Sequence, residues 1–155
     1  MPAFLIRPAT TADIEIITSH RRQMFADMGE PDEMKLDNMC VQFRPWLERK
    51  MACGEYLGWL ATLPGGEVVA GAGLWLMDWP PHMISSPSRG NILNVYTMRA
   101  YRRQGLARRL IETALDWCRS HEIRAVILHA SEEGRDLYRK LGFSPTNEMR
   151  IVLIL

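Results

Sequence analysis

The chain lacks an excess of charge of either sign. Nineteen Lys and Arg stand against eighteen Asp and Glu, a net of +1, so no basic field argues for a nucleic-acid partner. Cysteine is scarce as well. Cys40, Cys53 and Cys118 lie far apart with no CxxC or Cys/His spacing, so neither a disulfide framework nor a zinc site is expected, and the thiols read as reduced in a cytoplasmic protein. No stretch approaches the roughly 20 apolar residues of a membrane span, and the opening MPAFLIRPATTADIE has neither the basic lead nor the apolar run of a signal peptide. Repeats and low-complexity tracts are also missing, and 155 residues with 47% hydrophobic content are expected to form one domain, residues 1–155.

What is present is an ordered alternation of strand and helix signals. Phe4 to Arg7 is a β-rich run ending at Pro8. Thr10 and Asp13 then form a Thr-x-x-Asp capping box that opens a helix over about residues 11 to 27. Gly29 to Asp32 break it, and a second helix, carrying Met34, Leu36, Met39, Phe43, Trp46 and Leu47, is expected to end before Gly54. Tyr56–Thr62 and Val68–Met77, separated by Pro64, Gly65 and Gly66, read as a hairpin. A loop from Trp79 through Pro87 to Gly90 leads to a strand at Ile92–Met98. Gly105 then opens an amphipathic helix with Leu106, Leu110, Ile111, Ala114, Leu115 and Cys118 on one face. Arg124–Ala130 suits a mostly buried strand, Glu132–Leu141 a short helix stopped by Gly142, and residues from Phe143 to Leu155 one or two further strands. The fold class expected is α/β (α+β), a layered sheet with helices, in the order β-α-α-β-β-β-α-β-α-β-β.

The segment richest in chemistry is Asn94-Val95-Tyr96-Thr97-Met98-Arg99-Ala100-Tyr101-Arg102-Arg103-Gln104-Gly105-Leu106-Ala107. A strand runs through basic residues and a glycine into a helix, whose first N–H groups lack intrahelical partners and can receive a phosphate where side chains are small. Gly105 and Ala107 meet that demand, and Arg102, Arg103 and Arg108 bring positive charge. Neither a Walker A ending nor GxGxxG is present. Further on stands Leu137-Tyr138-Arg139-Lys140-Leu141-Gly142-Phe143.

Together these two segments closely resemble the GNAT acetyltransferases, whose signature is Arg/Gln-x-x-Gly-x-Gly/Ala followed by a strand and a helix ending in Leu-Tyr-x-x-Leu-Gly-Phe. The matches are Arg102, Gly105 and Ala107, then Leu137, Tyr138, Leu141, Gly142 and Phe143. The resemblance implies a mixed, twisted sheet of six to seven strands flanked by about four helices. It also implies acetyl-CoA as co-substrate, direct acetyl transfer to a primary amine of a small-molecule or peptide acceptor, and no metal. The backbone of Val95, Tyr96 and Thr97 would follow the pantetheine arm in a gap where the fourth and fifth strands part. The pyrophosphate would sit against the segment Arg103, Gln104, Gly105, Leu106, Ala107 and Arg108, with Arg102 beside it.

Tyr138, whose phenol titrates at about 10, is the candidate acid for the departing thiolate. Ser131 stands where many relatives have an asparagine touching the pantetheine, and is also a natural helix cap. Asn94 takes the place of a glutamate found in some relatives, and an amide cannot act as a base. Glu30, in the loop after the first helix, and His129, at a strand end, are candidate acceptor contacts. Trp75 and Trp79, four apart on a strand, share a face and suit either an acceptor wall or sheet packing. The alternative function is a non-catalytic acyl-CoA-binding regulatory module on the same fold, and the sequence leaves a homodimer open.

Overall fold

The computed structural model describes residues 3–84 and 88–154. Pro87 of the expected loop and Leu155 of the expected last strand lie outside them. The chain runs β1 (Leu5–Pro8), α1 (Ile14–Asp27), α2 (Glu33–Ala52), β2 (Tyr56–Thr62), β3 (Val68–Asp78), β4 (Ser88–Thr97), α3 (Leu106–Ser120), β5 (Val126–Leu128) and α4 (Arg135–Lys140). The strands make one sheet in the order β1-β2-β3-β4-β5, antiparallel except for the parallel pair β4 and β5.

Local chemistry sets the element ends. The Thr10 N–H donates to Asp13 Oδ2 at 2.8 Å and Thr10 Oγ1 accepts from the Ala12 N–H, so the capping box forms, and a bidentate ion pair from Arg7 ties it to β1. Asp32 caps α2 through the N–H groups of Met34 and Lys35. Gly66, at φ +95°, closes the β2–β3 hairpin, where the Leu63 N–H reaches the Glu67 carbonyl at 2.9 Å.

Two apolar layers cover the sheet. On one face α3 and α4 bury Leu74, Ile92, Leu106, Leu110, Ile111 and Tyr138; on the other α1 and α2 bury Ile17, Phe43, Leu47, Tyr56 and Leu60. Leu47, Leu74 and Leu110 have no exposed surface, and each contributes about 1.5–3 kcal/mol of burial. Trp75 packs edge-on against Trp46 of α2, with ring centroids 5.4 Å apart, whereas Trp79 lies beyond β3 under the guanidinium of Arg89.

Several expected boundaries are corrected. β4 begins at Ser88, four residues before the apolar run, because Ser88–Asn91 pair with Trp75–Asp78 whatever their polarity. β5 keeps only Val126–Leu128 of the expected Arg124–Ala130, and α4 begins at Arg135 because residues 132–134 form a turn. The sheet has five strands among the described residues, not six or seven. Residues 143–154 form no strand there, and Met149, Ile151, Val152, Leu153 and Ile154 are 94, 80, 71, 71 and 95% exposed.

Candidate active site

At the end of β4 the chain turns through a short 3-10 segment, Arg99–Tyr101, and enters α3 at Gly105. Gly105 has φ +77°, and a Cβ built there would meet nothing within 4 Å. The glycine therefore satisfies a left-handed backbone and leaves the space before the helix open. α3 presents its first N–H groups to that space, with Ala107 half-buried and Arg103 and Arg108 exposed around it. Arg103, also at positive φ (64°), pairs with no carboxylate among the described residues. Gln104 is half-buried.

Arg102 is already engaged. Its guanidinium pairs with Asp27 of α1, and its Nε donates to the Thr97 carbonyl at 2.8 Å, so it fastens α1 to the end of β4. Burial works against ionisation of Asp27, but the hydrogen bonds from Gln23 and Arg102 and the nearby charges of Arg102 and Arg99 prevail and hold its carboxyl below the usual range.

β4 and β5 pair only from Gly90 to Ile92, opposite Val126 to Leu128. Beyond Ile92 the main-chain edge of Val95, Tyr96 and Thr97 has β3 on one side and, among the described residues, no strand on the other. Such an edge can form hydrogen bonds with an extended, amide-bearing ligand. Tyr138 belongs to the apolar cluster of Leu106 and Leu110, against which Val95, Met98 and Leu128 pack. Its ring is buried, meeting Phe143 edge-on at 6.1 Å, and its hydroxyl makes no hydrogen bond with a described residue. Burial raises its pKa, so the phenol stays protonated and able to donate at neutral pH.

The opposite face of β4 is polar at one point. Gly71 pairs with Tyr96 but Gly73 pairs with Leu93, so Asn94 and Val95 together oppose Ala72, a β-bulge with Asn94 at φ +55°. The bulge turns the Asn94 side chain, 4% exposed, toward the helices. There its Nδ2 donates to Tyr56 Oη at 3.0 Å and its Oδ1 accepts from Arg21 Nη1 at 2.8 Å. Burial, only partly offset by Asn94 and Arg21, pushes the Tyr56 phenol up to about 12. His20, one residue before Arg21, packs against Tyr96 at 5.0 Å, and burial pulls it down to about 4, so it is neutral at pH 7. Glycines make this cluster possible: a Cβ at Gly73 would lie 2.1 Å from Tyr56 Oη, and one at Gly71 would lie 3.1 Å from His20 Nδ1.

The structure thus gathers residues 94–97 and 102–108 around the end of β4, with Tyr138 in the apolar cluster that Val95 and Met98 pack against. Ser131 is part of the turn before α4, where its Oγ accepts from the Gly134 N–H at 3.1 Å. Glu30 is in the α1–α2 connection and accepts from the Asp32 N–H at 3.1 Å. His129 is exposed beyond β5, with Nε2 3.9 Å from Glu148, on the edge turned away from β4. Arg21, Tyr56 and His20 were not anticipated. The run His20-Arg21-Arg22 and the close glycines 71 and 73 were their only trace in the sequence.

The family model described as the acetyltransferase (GNAT) family matches residues 15–143. A GCN5-related N-acetyltransferase from Ralstonia eutropha JMP134 is 36% identical and superposes with a TM-score of 0.91 over 97% of this chain and 99% of its own. A predicted acetyltransferase from Clostridium acetobutylicum, solved with acetyl-CoA, is 24% identical with a TM-score of 0.88 over 97% and 96% of the two chains. The aminoglycoside N-acetyltransferase AAC(6')-Iy, solved with CoA, shares the fold at 16% identity and a TM-score of 0.74, over 99% of this chain and 96% of its own. Among curated proteins no significant match is found. The chain belongs to the GNAT acetyltransferase family and is an acyltransferase by that membership. No helix among the described residues is long and apolar enough to cross a membrane.

Proposed function

We propose that the protein transfers an acetyl group from acetyl-CoA directly to a primary amine of a small-molecule or peptide acceptor. The observation that carries this reading is the coincidence, at one strand end, of a β4 edge unpaired among the described residues and an open glycine-led helix start, above a core that holds a buried tyrosine with an uncommitted hydroxyl. The residues present suit the co-substrate. The N–H groups from Arg103 to Arg108 and the start of the α3 dipole would hold the pyrophosphate, with Arg103 and Arg108 as mobile countercharges. The backbone of Val95, Tyr96 and Thr97 would bond the pantetheine amides, with Ser131 at its border. Acetyl-CoA supplies the activated acyl group.

The two faces of β4 then divide the work. On the α3–α4 side, Tyr138 keeps its proton through burial and donates it to the departing thiolate. On the α1–α2 side, Asn94 orients the acceptor. Its amide cannot take a proton, so the amine loses one to solvent before it docks, and the rate rises with pH toward the acceptor's own pKa; as the C–N bond forms and the C–S bond breaks, the nitrogen sheds a second proton, which replaces the one Tyr138 gave to sulfur. Glu30, in the α1–α2 connection, would border the acceptor's approach, whereas His129, beyond β5, would not.

The test is release of free CoA thiol over a panel of primary amines, with mass detection of the acetylated product. Tight CoA binding without release on any amine would overturn catalysis and leave a binding module. Failure to bind CoA would overturn the site.

A further inference from the structure

The arginines around α1 and α2 are mostly neutralised. Arg7 pairs with Asp13, Arg22 with Glu33 and Asp37, Arg44 with Glu15, and Arg102 with Asp27. Arg21 is different. Its guanidinium is held between the rings of Phe25 and Phe43, 5.0 and 4.9 Å from their centroids, and makes a single hydrogen bond among the described residues, to Asn94. Its Nε is buried without a partner, and no carboxylate among the described residues faces it. The groups around it are the Cys40 thiol and the Tyr56 phenol, which burial keeps protonated. A half-buried guanidinium with five donors, one of them used, is an incomplete arrangement, because burying a cation costs free energy that an anion would offset. Asn94, the side chain it bonds, leaves β4 at the bulge just beyond the last β4–β5 pair.

We infer that the acceptor carries an anionic oxygen group, a carboxylate or a phosphate, besides its amine, and that Arg21 receives it. The inference rests on the acetyl-transfer reading above. The guanidinium fork fits either anion in bidentate fashion, and the Phe25 and Phe43 rings fix its plane. Asn94 holds Arg21 at a set distance from the β4 edge, so the anionic end of the acceptor determines where the amine meets the thioester.

Matched acceptors test this: an amino acid against its carboxamide, and phosphoethanolamine against ethanolamine. A hydrogen bond to a charged partner contributes about 1.5–3 kcal/mol, so kcat/KM should favour the anionic member of one pair by roughly 10- to 100-fold. Arg21→Gln should collapse that ratio toward one, Arg21→Lys should retain part of it, and both should bind acetyl-CoA normally by calorimetry. A ratio near one in the wild type, or an unchanged ratio in a folded Arg21→Gln protein, overturns the inference. If no amine releases CoA, the activity reading fails separately, and calorimetric titration of the same pairs into CoA-loaded protein decides. Equal affinity of anion and neutral partner then overturns the role of Arg21.

Discussion

Gly105 offers the sharpest separation between backbone strain and ligand contact. Its φ of +77° lies in the left-handed region, where an L residue costs about 1–2 kcal/mol, and the empty surroundings of the built Cβ add no clash. Gly105→Ala should therefore destabilise by that amount, about 2–8 °C in Tm for a domain of this size. Gly105→Asn should lose much less, since asparagine tolerates the left-handed region. Gly105→Glu should melt close to the alanine variant, yet it puts a carboxylate at the helix start where the pyrophosphate is proposed to bind. Calorimetry with CoA should then show binding almost unchanged in Gly105→Ala, reduced in Gly105→Asn and lost in Gly105→Glu. Equal CoA affinity in folded Gly105→Glu would refute the pyrophosphate seat. A Gly105→Ala protein as stable as the wild type would refute the strain argument.

Other consequences are as direct. Tyr138→Phe should lower the single-turnover acetyl-transfer rate by roughly 10² to 10⁴ with acetyl-CoA affinity retained; a variant that melts lower but reacts at the wild-type rate would remove the acid role. His20 titrates near 4 when folded and near 6.5 when unfolded, so between those values the unfolded state holds more protons and stability falls as pH drops. The loss should approach about 3 kcal/mol by pH 4 and be absent above pH 7; His20→Leu should remove this component of the pH profile in urea titrations. Gly73→Ala would drive a methyl to 2.1 Å from Tyr56 Oη, so the Tyr56–Asn94 hydrogen bond should break and stability should fall by about 1–3 kcal/mol, read by denaturant midpoint.

Most of the fold could be read from the sequence because local rules and tertiary packing agreed. The Thr10–Asp13 box, the Pro64–Gly66 turn and the α3 stripe of Leu106, Leu110, Ile111, Ala114 and Cys118 recur in the structure with ends close to those expected. The failures were of two kinds. Ser88–Asn91 joined β4 through main-chain pairing that polar side chains do not announce. Residues 149–154 have strand composition, but a strand exists only where an edge accepts it, and no edge does so within the described chain. At the site, Gly105 and Tyr138 were legible through motif spacing. The Arg21–Asn94–Tyr56 cluster was not, because it joins residues up to 73 positions apart through a bulge, and bulges leave no period in a sequence.

That bulge changes the phase of β4. Ile92 packs toward α3, Leu93 toward α1 and α2, Asn94 again toward α1 and α2, and Val95 back toward α3. Leu93 and Val95 thus fall on opposite sides of the sheet with Asn94 between them, and they would do so equally if Asn94 were cut out and the strand closed over the gap. The apolar pattern of β4 is complete without its extra residue. Asn94 is therefore an insertion in an otherwise regular strand, and Asn94 deletion should empty the polar cluster while both apolar layers keep their residues.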